Sequence, residues 1–315
     1  MTRVWRHMRA LWPRWTLVPG GIFWGWSAYW LARGEARWDH LATAVVIPAL
    51  AYGSARSKRV FVALLPIALV GLLYDAMRFV RNVGVDVASV HTCDLRDKEL
   101  AWFGVDVDGA RITLQDLATQ SSTPQLDLLC AVPYGTFIFI VLGYATWLFH
   151  RAPATQQRFV WAFLALNVAG FVSYHLYPAA PPWYLRAHGC VADLSAHAEP
   201  GAHLARVDAL LGVHYFAGMY GRSSDVFGAV PSLHVAYPLL MALEGFALHG
   251  WLGRSGLVAF FLSMCFAAVY LDHHWVIDVL AGITYTVVVA VAFELVDRRT
   301  SIFSQAAVDL MGPRE

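Results

Sequence analysis

Long apolar runs recur along the chain, separated by polar stretches. A run of about 20 apolar residues is long enough to cross a bilayer as an α-helix. The first two runs are shorter, so we expect them to tilt or to form one hairpin that does not fully cross. The predicted runs cover residues 17–31, 41–52, 60–80, 128–149, 159–177, 230–248, 257–271 and 275–295.

Two longer polar stretches, residues 81–127 and 178–229, interrupt this pattern. Each is too short to bury a hydrophobic core of its own, so neither predicts a soluble domain. The segment from Leu95 to Val105 mixes charged residues with Leu, Trp and Phe, which favours an amphipathic helix on the membrane surface. The pattern predicts an all-α, polytopic transmembrane helical bundle of about six to eight spans, with two extracytoplasmic loop regions that carry surface helices.

The chain divides into three parts on this basis. Residues 1–59 hold the N-terminal spans and basic segments, residues 60–297 form the main transmembrane bundle, and residues 298–315 form a tail. The composition agrees, because 58% of the residues are hydrophobic and only 14% are charged, whereas about 25% are charged in soluble domains. The net charge of +1 gives no reason to expect a nucleic-acid partner.

Basic residues near the helix ends predict the orientation, because cytoplasmic loops are rich in Lys and Arg. With eight spans, one side receives both termini and the short loops at residues 53–59, 150–158 and 249–256. These segments carry 13 of the 23 basic residues. We therefore expect both termini in the cytoplasm and both long polar stretches outside.

A first candidate for chemistry is the string Gly-Ala-Val-Pro-Ser-Leu-His at residues 228–234, where the sixth run begins. Pro231 suits the first turn of a helix, and the free backbone N–H groups of such a turn bind anions. Ser232 adds a hydroxyl donor to that turn. His234 follows just inside the apolar region and is a candidate for acid–base chemistry.

A second candidate is the string Asp-His-His-Trp-Val-Ile-Asp at residues 272–278, where the last run begins. His274 and Asp278 are four residues apart, so they share one face of a helix. A carboxylate there fixes the imidazole tautomer and leaves the other ring nitrogen as a nucleophile. Ionisable residues at a membrane helix end are costly, which favours a functional role. His273 is either a participant or only a neighbour.

The two candidate strings fall on the same side of the membrane. His234 starts the sixth run, and two crossings later His274 starts the last run on the same side. The ends of the third and fifth runs reach this side as well. They carry Asp75, Arg78 and His175.

Together these motifs resemble the type 2 phosphatidic acid phosphatase superfamily. The string Phe-Gly-Ala-Val-Pro-Ser-Leu-His, which ends at His234, and the string His-His-Trp-Val-Ile-Asp, which ends at Asp278, are similar to those of its inositol phosphorylceramide synthase branch and of bacterial relatives. Tyr-Asp-Ala-Met-Arg at residues 74–78 and Tyr-Pro-Ala-Ala-Pro-Pro-Trp-Tyr at residues 177–184 point the same way. The resemblance covers about residues 60–295.

The resemblance implies a lipid phosphotransferase that works through a phosphohistidine in the cell membrane, here a bacterial inner membrane. His274 would attack phosphorus, Asp278 would hold it, and His234 would protonate the leaving alcohol and deprotonate the incoming one. The donor would be a phospholipid such as phosphatidylinositol, and the acceptor a ceramide or another lipid alcohol. No cofactor and no metal ion would be required.

The chain also departs from the superfamily pattern. The Lys followed at a distance by Arg-Pro is absent, and Ala268 stands where an Arg is expected six residues before the nucleophile. A transferring phosphoryl group still needs its charge neutralised. The outer-side arginines that qualify are Arg78, Arg81, Arg186 and Arg222, and Arg78 is favoured because Asp75 can hold it. The predicted substrate-binding residues are Asp75, Arg78, His175, Arg186, Arg222 and Ser232.

Two other functions remain possible at this stage. The first is a lipid phosphate phosphatase, in which water is the acceptor. The second is a non-catalytic lipid-binding or transport protein on the same scaffold, which the intact set of two histidines and one aspartate disfavours. Likewise, Asp75 and Arg78 are either a structural ion pair or part of a substrate site.

Cysteines and one buried acid complete the sequence picture. Cys93 and Cys190 lie in the two outer stretches, where an oxidising compartment allows a disulfide. Glu244 lies about 15 Å below His234 along a helix and needs a partner or a proton at that depth. The sequence assigns it no role.

Overall fold

The computed structural model describes residues 2–311, most of which are helical. Within this part, the only sheet is an antiparallel hairpin of β1 (Val105–Val107) and β2 (Ala110–Ile112). Short 3₁₀ turns occur at Val87–Ser89 and Phe246–Leu248. The α-helices are α1 (Arg3–Leu11), α2 (Val18–Ala32), α3 (Trp38–Tyr52), α4 (Ala55–Met77), α5 (Cys93–Phe103), α6 (Leu114–Gln120), α7 (Pro124–Arg151), α8 (Pro153–Leu176), α9 (Pro182–His188), α10 (Gly201–Leu211), α11 (Tyr215–Tyr220), α12 (Leu233–Gly245), α13 (Trp251–Tyr270), α14 (Val276–Thr300) and α15 (Ile302–Met311).

Five of these helices are long and apolar enough to cross a membrane, namely α4, α7, α8, α13 and α14. The apolar segment Leu233–Leu248, made of α12 and the 3₁₀ turn after it, is shorter. The helices α2 and α3 have 15 residues each, or about 22 Å, against the roughly 30 Å of a hydrocarbon core. The predicted polytopic all-α fold is confirmed, and the chain is a multi-pass membrane protein.

The described residues divide into two compact units. The larger unit, Pro66–Phe303, holds all the candidate site residues. In the smaller unit, α2 and α3 pair side by side: Trp24 Nε1 donates to the carbonyl of Ala44 at 2.9 Å, and Ser27 Oγ donates to that of His40 at 2.8 Å. The first two apolar runs therefore form a hairpin, one of the two arrangements expected of them.

In the larger unit, α12 lies among α7, α8, α13 and α14. Its side chains Val235 and Leu240 are fully buried. Because lipid tails are as apolar as the helices, close packing and hydrogen bonds have to hold such a bundle together. Small residues allow that packing, as at Gly170 of α8, which faces the Leu233 side chain. The central position of α12 places its N-terminus in the middle of the bundle.

A charge network around the buried Glu244 joins three helices at the opposite end of the bundle. Arg158 of α8 donates to Glu244 of α12 at 2.6 Å and also pairs with Glu294 and Asp297 of α14. Glu244 therefore has the partner that its depth demands. Removing one partner from a buried pair of this kind typically costs about 3–5 kcal/mol, so the network ties these helix ends together.

The polar stretches fold over the end of the bundle that carries the candidate site. Cys93, the first residue of α5, forms a disulfide with Cys190 across 5.3 Å between the Cα atoms, so the bridge that the sequence allowed but left open is present. The helix expected near residues 95–105 is α5 itself. Its side chains Leu95 and Glu99 are buried in the protein, so this face of α5 packs on the bundle.

Candidate active site

The N-termini of α12 and α14 meet at this end of the bundle. The backbone N–H of Ser232, the N-cap of α12, donates to the carbonyl of Asp278 in α14 at 3.0 Å. Gly282 permits this approach, since a Cβ atom there would lie 2.4 Å from the Ser232 carbonyl oxygen. The contact brings together two motifs that stand far apart in the sequence.

His234 and His274 face each other across this junction, with 3.2 Å between His234 Nδ1 and His274 Nε2. The other ring nitrogen of His274, Nδ1, lies 3.1 Å from the carbonyl oxygen of Ala229 and 3.4 Å from the Asp278 carboxylate. A carbonyl oxygen can only accept, so Nδ1 carries the proton and Nε2 keeps its lone pair. The tautomer is the one expected of a nucleophile.

One detail of this pair differs from the sequence prediction. His274 does not lie on α14, which begins at Val276. Asp278 instead reaches back over the helix start, where its Oδ2 atom accepts the backbone N–H of Trp275 at 2.8 Å. The Asp278 carboxylate caps α14, and capping turns the chain before the helix toward its first turn. This brings His274 close to the carboxylate.

Aromatic rings enclose the two histidines. Tyr134 of α7 is fully buried and stacks on His234 with 4.3 Å between ring centroids, and its hydroxyl lies 3.3 Å from His234 Nδ1. Phe137 meets the same histidine edge-on at 4.9 Å. Tyr134 also lies over His273, which in turn stacks on Tyr220 of α11 at 4.6 Å. The pair therefore lies in an aromatic environment.

His273 is held away from His274 by a contact of its own. Its Nε2 atom donates to the carbonyl of Pro200 at 2.9 Å. Burial, and next the neighbouring His274, lower the pKa of His273 to about 3, so this ring stays neutral. His273 links the turn before α14 to the segment that covers it.

Arg186, predicted to bind substrate, is engaged by two carboxylates. Its Nε and Nη2 atoms donate to Asp272 at 2.5 and 3.1 Å, and its Nη1 atom donates to Asp116 at 3.0 Å. Asp272 precedes the two histidines and has a left-handed φ of 66°. Burial raises the pKa of Asp272, although Arg186 opposes the shift. In this arrangement Arg186 fixes the turn that leads into His274.

Asp75 and Arg78 form an ion pair at the end of α4. Arg78 also lies 3.5 Å from the hydroxyl of Ser224, which belongs to the chain that leads into Ser232. The neighbouring Tyr74 hydroxyl shares a hydrogen bond of 2.9 Å with Ser223. The ion pair of Asp75 and Arg78 thus lies at the loop in front of α12. A structural role and a substrate-binding role both fit this position.

The remaining predicted residues lie around the same end. Arg222 follows α11 and is half-buried, and His175 is in the last turn of α8. Three buried polar atoms of predicted site residues have no partner among residues 2–311: Ser232 Oγ, Asp278 Oδ1 and His175 Nδ1. Buried polar atoms of this kind ordinarily have a partner, and a polar substrate would provide one. No group of His, Cys, Asp or Glu in the described chain could hold a metal ion.

Several contributors to the site were missed from the sequence. Tyr134 and Tyr220 belong to apolar or mixed stretches that carry no motif. The Ala229 carbonyl that fixes the tautomer of His274 is a backbone group, which no side-chain pattern reports. Asp272 belongs to the second candidate string, but its partner Arg186 is 86 residues away.

The chain is similar in sequence to a family of known proteins. The model of the PAP2 superfamily matches residues 112–292, more than half of the chain. The chain is 33% identical to the phosphoinositol dihydroceramide synthase of Bacteroides thetaiotaomicron over 254 residues, which cover 79% of this chain and 81% of that protein. No solved structure matches the chain significantly.

Two fungal proteins match a smaller part. The chain is 34% identical over 176 residues to the inositol phosphorylceramide synthase of Candida albicans, covering 54% of this chain and 36% of that protein. It is 33% identical over 173 residues to the inositol phosphorylceramide synthase catalytic subunit of Saccharomyces cerevisiae, covering 54% and 42%. The matched parts are less than half of each fungal protein. By the family match and the extent of the bacterial similarity, the chain belongs to the PAP2 superfamily.

Proposed function

We propose that this protein is a lipid phosphotransferase that moves a phosphate-linked head group from a phospholipid to a lipid alcohol through a phosphohistidine. The observation that carries the proposal is the approach of His234 Nδ1 to His274 Nε2 at 3.2 Å, with the proton of His274 fixed on its other nitrogen. The names of the relatives support a phosphatidylinositol-like donor and a ceramide-like acceptor.

In the first half-reaction, His274 Nε2 attacks the phosphorus of the donor, and the bond from phosphorus to the diacylglycerol oxygen breaks. His234 gives its proton to that oxygen, so diacylglycerol leaves as the alcohol. Asp278 stabilises the positive charge that develops on His274. A spacing of 3.2 Å leaves no room for a phosphorus atom, so donor entry must separate the two rings.

In the second half-reaction, the acceptor hydroxyl gives its proton to His234 while its oxygen attacks the phosphorus. The bond between phosphorus and His274 breaks, and the head group is now linked to the acceptor. The free N–H groups of the first turn of α12 and the unpartnered Ser232 hydroxyl would hold the phosphoryl oxygens. Asp75, Arg78, His175 and Arg222 remain the proposed contacts to the rest of the donor, and Arg186 would act by holding the turn before His274.

The scarcity of cations beside the histidines supports a diester donor. Ala268, which stands where the family pattern has an Arg, is buried, and its carbonyl accepts the backbone N–H of His274 at 3.0 Å. A phosphodiester carries less negative charge than a phosphomonoester and needs fewer positive groups. The aromatic enclosure would keep water from the intermediate.

We also propose that the site faces the extracytoplasmic side of a bacterial inner membrane. The excess of Lys and Arg in the short loops supports this orientation. The Cys93–Cys190 disulfide supports it independently, because disulfides persist in oxidising compartments.

The test is a transfer assay with the purified full-length protein, phosphatidylinositol and a fluorescent ceramide. We expect a fluorescent lipid that carries the head group, together with an equal amount of diacylglycerol, and little phosphate release from phosphatidic acid. Rapid hydrolysis of phosphomonoesters, with no transfer product across a panel of donors and acceptors, would instead identify the protein as a phosphatase.

A further inference from the structure

Glu99 of α5 is a charged residue that the mechanism above does not use, and it is completely buried. One carboxylate oxygen, Oε1, accepts the backbone N–H of Val276 at 2.8 Å, and the other, Oε2, accepts that of Ile277 at 3.2 Å. These are the first two residues of α14. The carboxylate therefore lies on the N-terminus of the helix that begins two residues after His274.

Gln115 of α6 extends this contact to the histidine itself. Its Nε2 group donates to Glu99 Oε1 at 3.2 Å and to the carbonyl oxygen of His274 at 3.1 Å. Because both partners are acceptors, the NH₂ end of the Gln115 amide must face them. The carbonyl of His274 and the two N–H groups at the start of α14 are thus held by one connected pair of side chains.

This pair comes from elements that are themselves anchored. The disulfide at Cys93 ties the first residue of α5 to the loop after α9. Two residues along, Leu95 is almost fully buried against the bundle. Glu99 is therefore presented to α14 from a fixed support, 177 residues away in the chain from Val276.

Glu99 places a carboxylate on the N-terminus of α14 at a depth where a charge is costly. Burial raises the pKa of Glu99, which reflects the cost of keeping a charge there, although the two backbone N–H groups and Gln115 oppose the shift. The partially positive end of a helix favours a negative charge. Because Glu99 already accepts the first N–H groups of α14, these groups cannot bind the phosphoryl oxygens. The N–H groups at the start of α12 are left for that role.

We propose that Glu99, together with Gln115, is the positioning residue of the nucleophile, and that it fixes the backbone on which His274 is presented to phosphorus. The inference rests on the proposed role of His274. It adds an outer surface segment, α5 and α6, to the parts of the protein on which turnover depends.

The test measures kcat and KM for head-group transfer by Glu99→Gln and Glu99→Ala in the purified full-length protein, with phosphatidylinositol and fluorescent ceramide. Glutamine keeps the size but replaces one acceptor by a donor, so one N–H group loses its partner. We expect kcat to fall about 10- to 100-fold in Glu99→Gln and further in Glu99→Ala, as for other misplaced catalytic groups. KM for both lipids should stay within about twofold, because neither lipid touches Glu99.

The matched control is Asp97→Asn, which removes the same charge from an exposed position on the same helix. It should leave kcat unchanged. Hydrogen exchange measured by mass spectrometry should become faster at residues 275–278 in Glu99→Gln but not in Asp97→Asn, a readout that does not depend on activity.

An unchanged kcat in folded Glu99→Gln would overturn the inference, while a wild type without transfer product would contradict the proposed function instead. If the Glu99 variants do not fold, Gln115→Met tests the inference instead. This substitution removes the hydrogen bond to the His274 carbonyl and leaves both contacts of Glu99 to α14 in place. It should lower kcat about tenfold at constant KM, and an unchanged kcat there also overturns the inference.

Discussion

Asp278 links the two halves of the candidate site through three contacts. Its carboxylate lies beside His274 and caps the N–H of Trp275, while its own carbonyl accepts the N–H of Ser232. The orientation of the nucleophile and the position of the helix that carries His234 thus depend on one residue. This explains why the two motifs occur together: neither has the geometry of a reactive site alone.

The catalytic set makes a direct prediction. His274→Ala and His234→Ala should each abolish head-group transfer with expression intact. Asp278→Asn should cost on the order of a hundredfold or more, because a neutral amide no longer stabilises the positive charge that develops on His274. His150→Ala, at an exposed position on α7, is the control that should keep its activity. Near-normal turnover in purified His274→Ala would exclude the phosphohistidine mechanism.

Gly282 is the residue at which packing and chemistry meet. In Gly282→Ala the new Cβ atom would lie 2.4 Å from the Ser232 carbonyl oxygen, so α12 has to move away from α14. We expect turnover to fall at least about tenfold and stability to drop by about 1–3 kcal/mol. Gly143→Ala in α7 adds a methyl group where no atom lies within 4 Å. Equal activity and melting temperature in both variants would show that the close approach is unimportant.

At the scale of elements, α10 and α11 form a cover over the aromatic enclosure. Asp127 of α7 holds α10 by accepting from Arg206 at 2.8 Å and from His203 at 3.0 Å. Asp208 of α10 caps α11 by accepting the N–H of Phe216 at 3.1 Å. Since α11 carries the ring that stacks on His273, a loosened cover would open the enclosure to water.

The cover predicts a change in product ratio. Arg206→Ala removes the ion pair between α10 and Asp127 of α7, so water should reach the intermediate more often. We expect a several-fold rise in water-soluble head-group phosphate relative to the transferred lipid, with donor consumption largely retained. Arg299→Ala, an exposed arginine on α14, should leave the ratio unchanged. An unaltered ratio in Arg206→Ala would mean that water is excluded by other means.

At the scale of the whole larger unit, polar side chains are concentrated at the two ends of an apolar bundle. One end carries the histidine pair and the folded polar stretches. The other carries Arg158 with three carboxylates, far along the helices from His234. Each end satisfies its charges internally, as the low dielectric of a bilayer requires.

This arrangement leads to a topology prediction. Reporter fusions at both termini should indicate the cytoplasm, whereas fusions near Gly109 and Pro200 should indicate the outside, because both positions lie in the polar stretches that fold over the site. Measurements of alkaline phosphatase and fluorescent-protein fusions in a bacterial host distinguish the two sides. A cytoplasmic signal at Pro200 would refute the proposed orientation.

The sequence by itself determined the membrane bundle and pointed to a candidate reactive set. Bilayer thickness sets the length that an apolar run needs to cross, so the pattern of apolar residues along the chain predicts the spans. The residues of the second string, including His274 and Asp278, are close in sequence, so a contact between these two side chains could be predicted, although it arises from the cap of α14 and not from one helical face. The Cys93–Cys190 bridge could be proposed because only two cysteines lie in the polar stretches, although its geometry could not.

Only the tertiary structure decided how that set is held. Tyr134 and Gln115 reach the histidines, and Glu99 reaches the helix start that follows His274, from segments 100 to 177 residues away, and no local pattern marks them. Arg186 was expected at the substrate, but its guanidinium is engaged by Asp272 and Asp116. The physical reason is that burial and pairing of polar groups depend on which distant segments pack together, whereas spacing along one helix reports only on that helix.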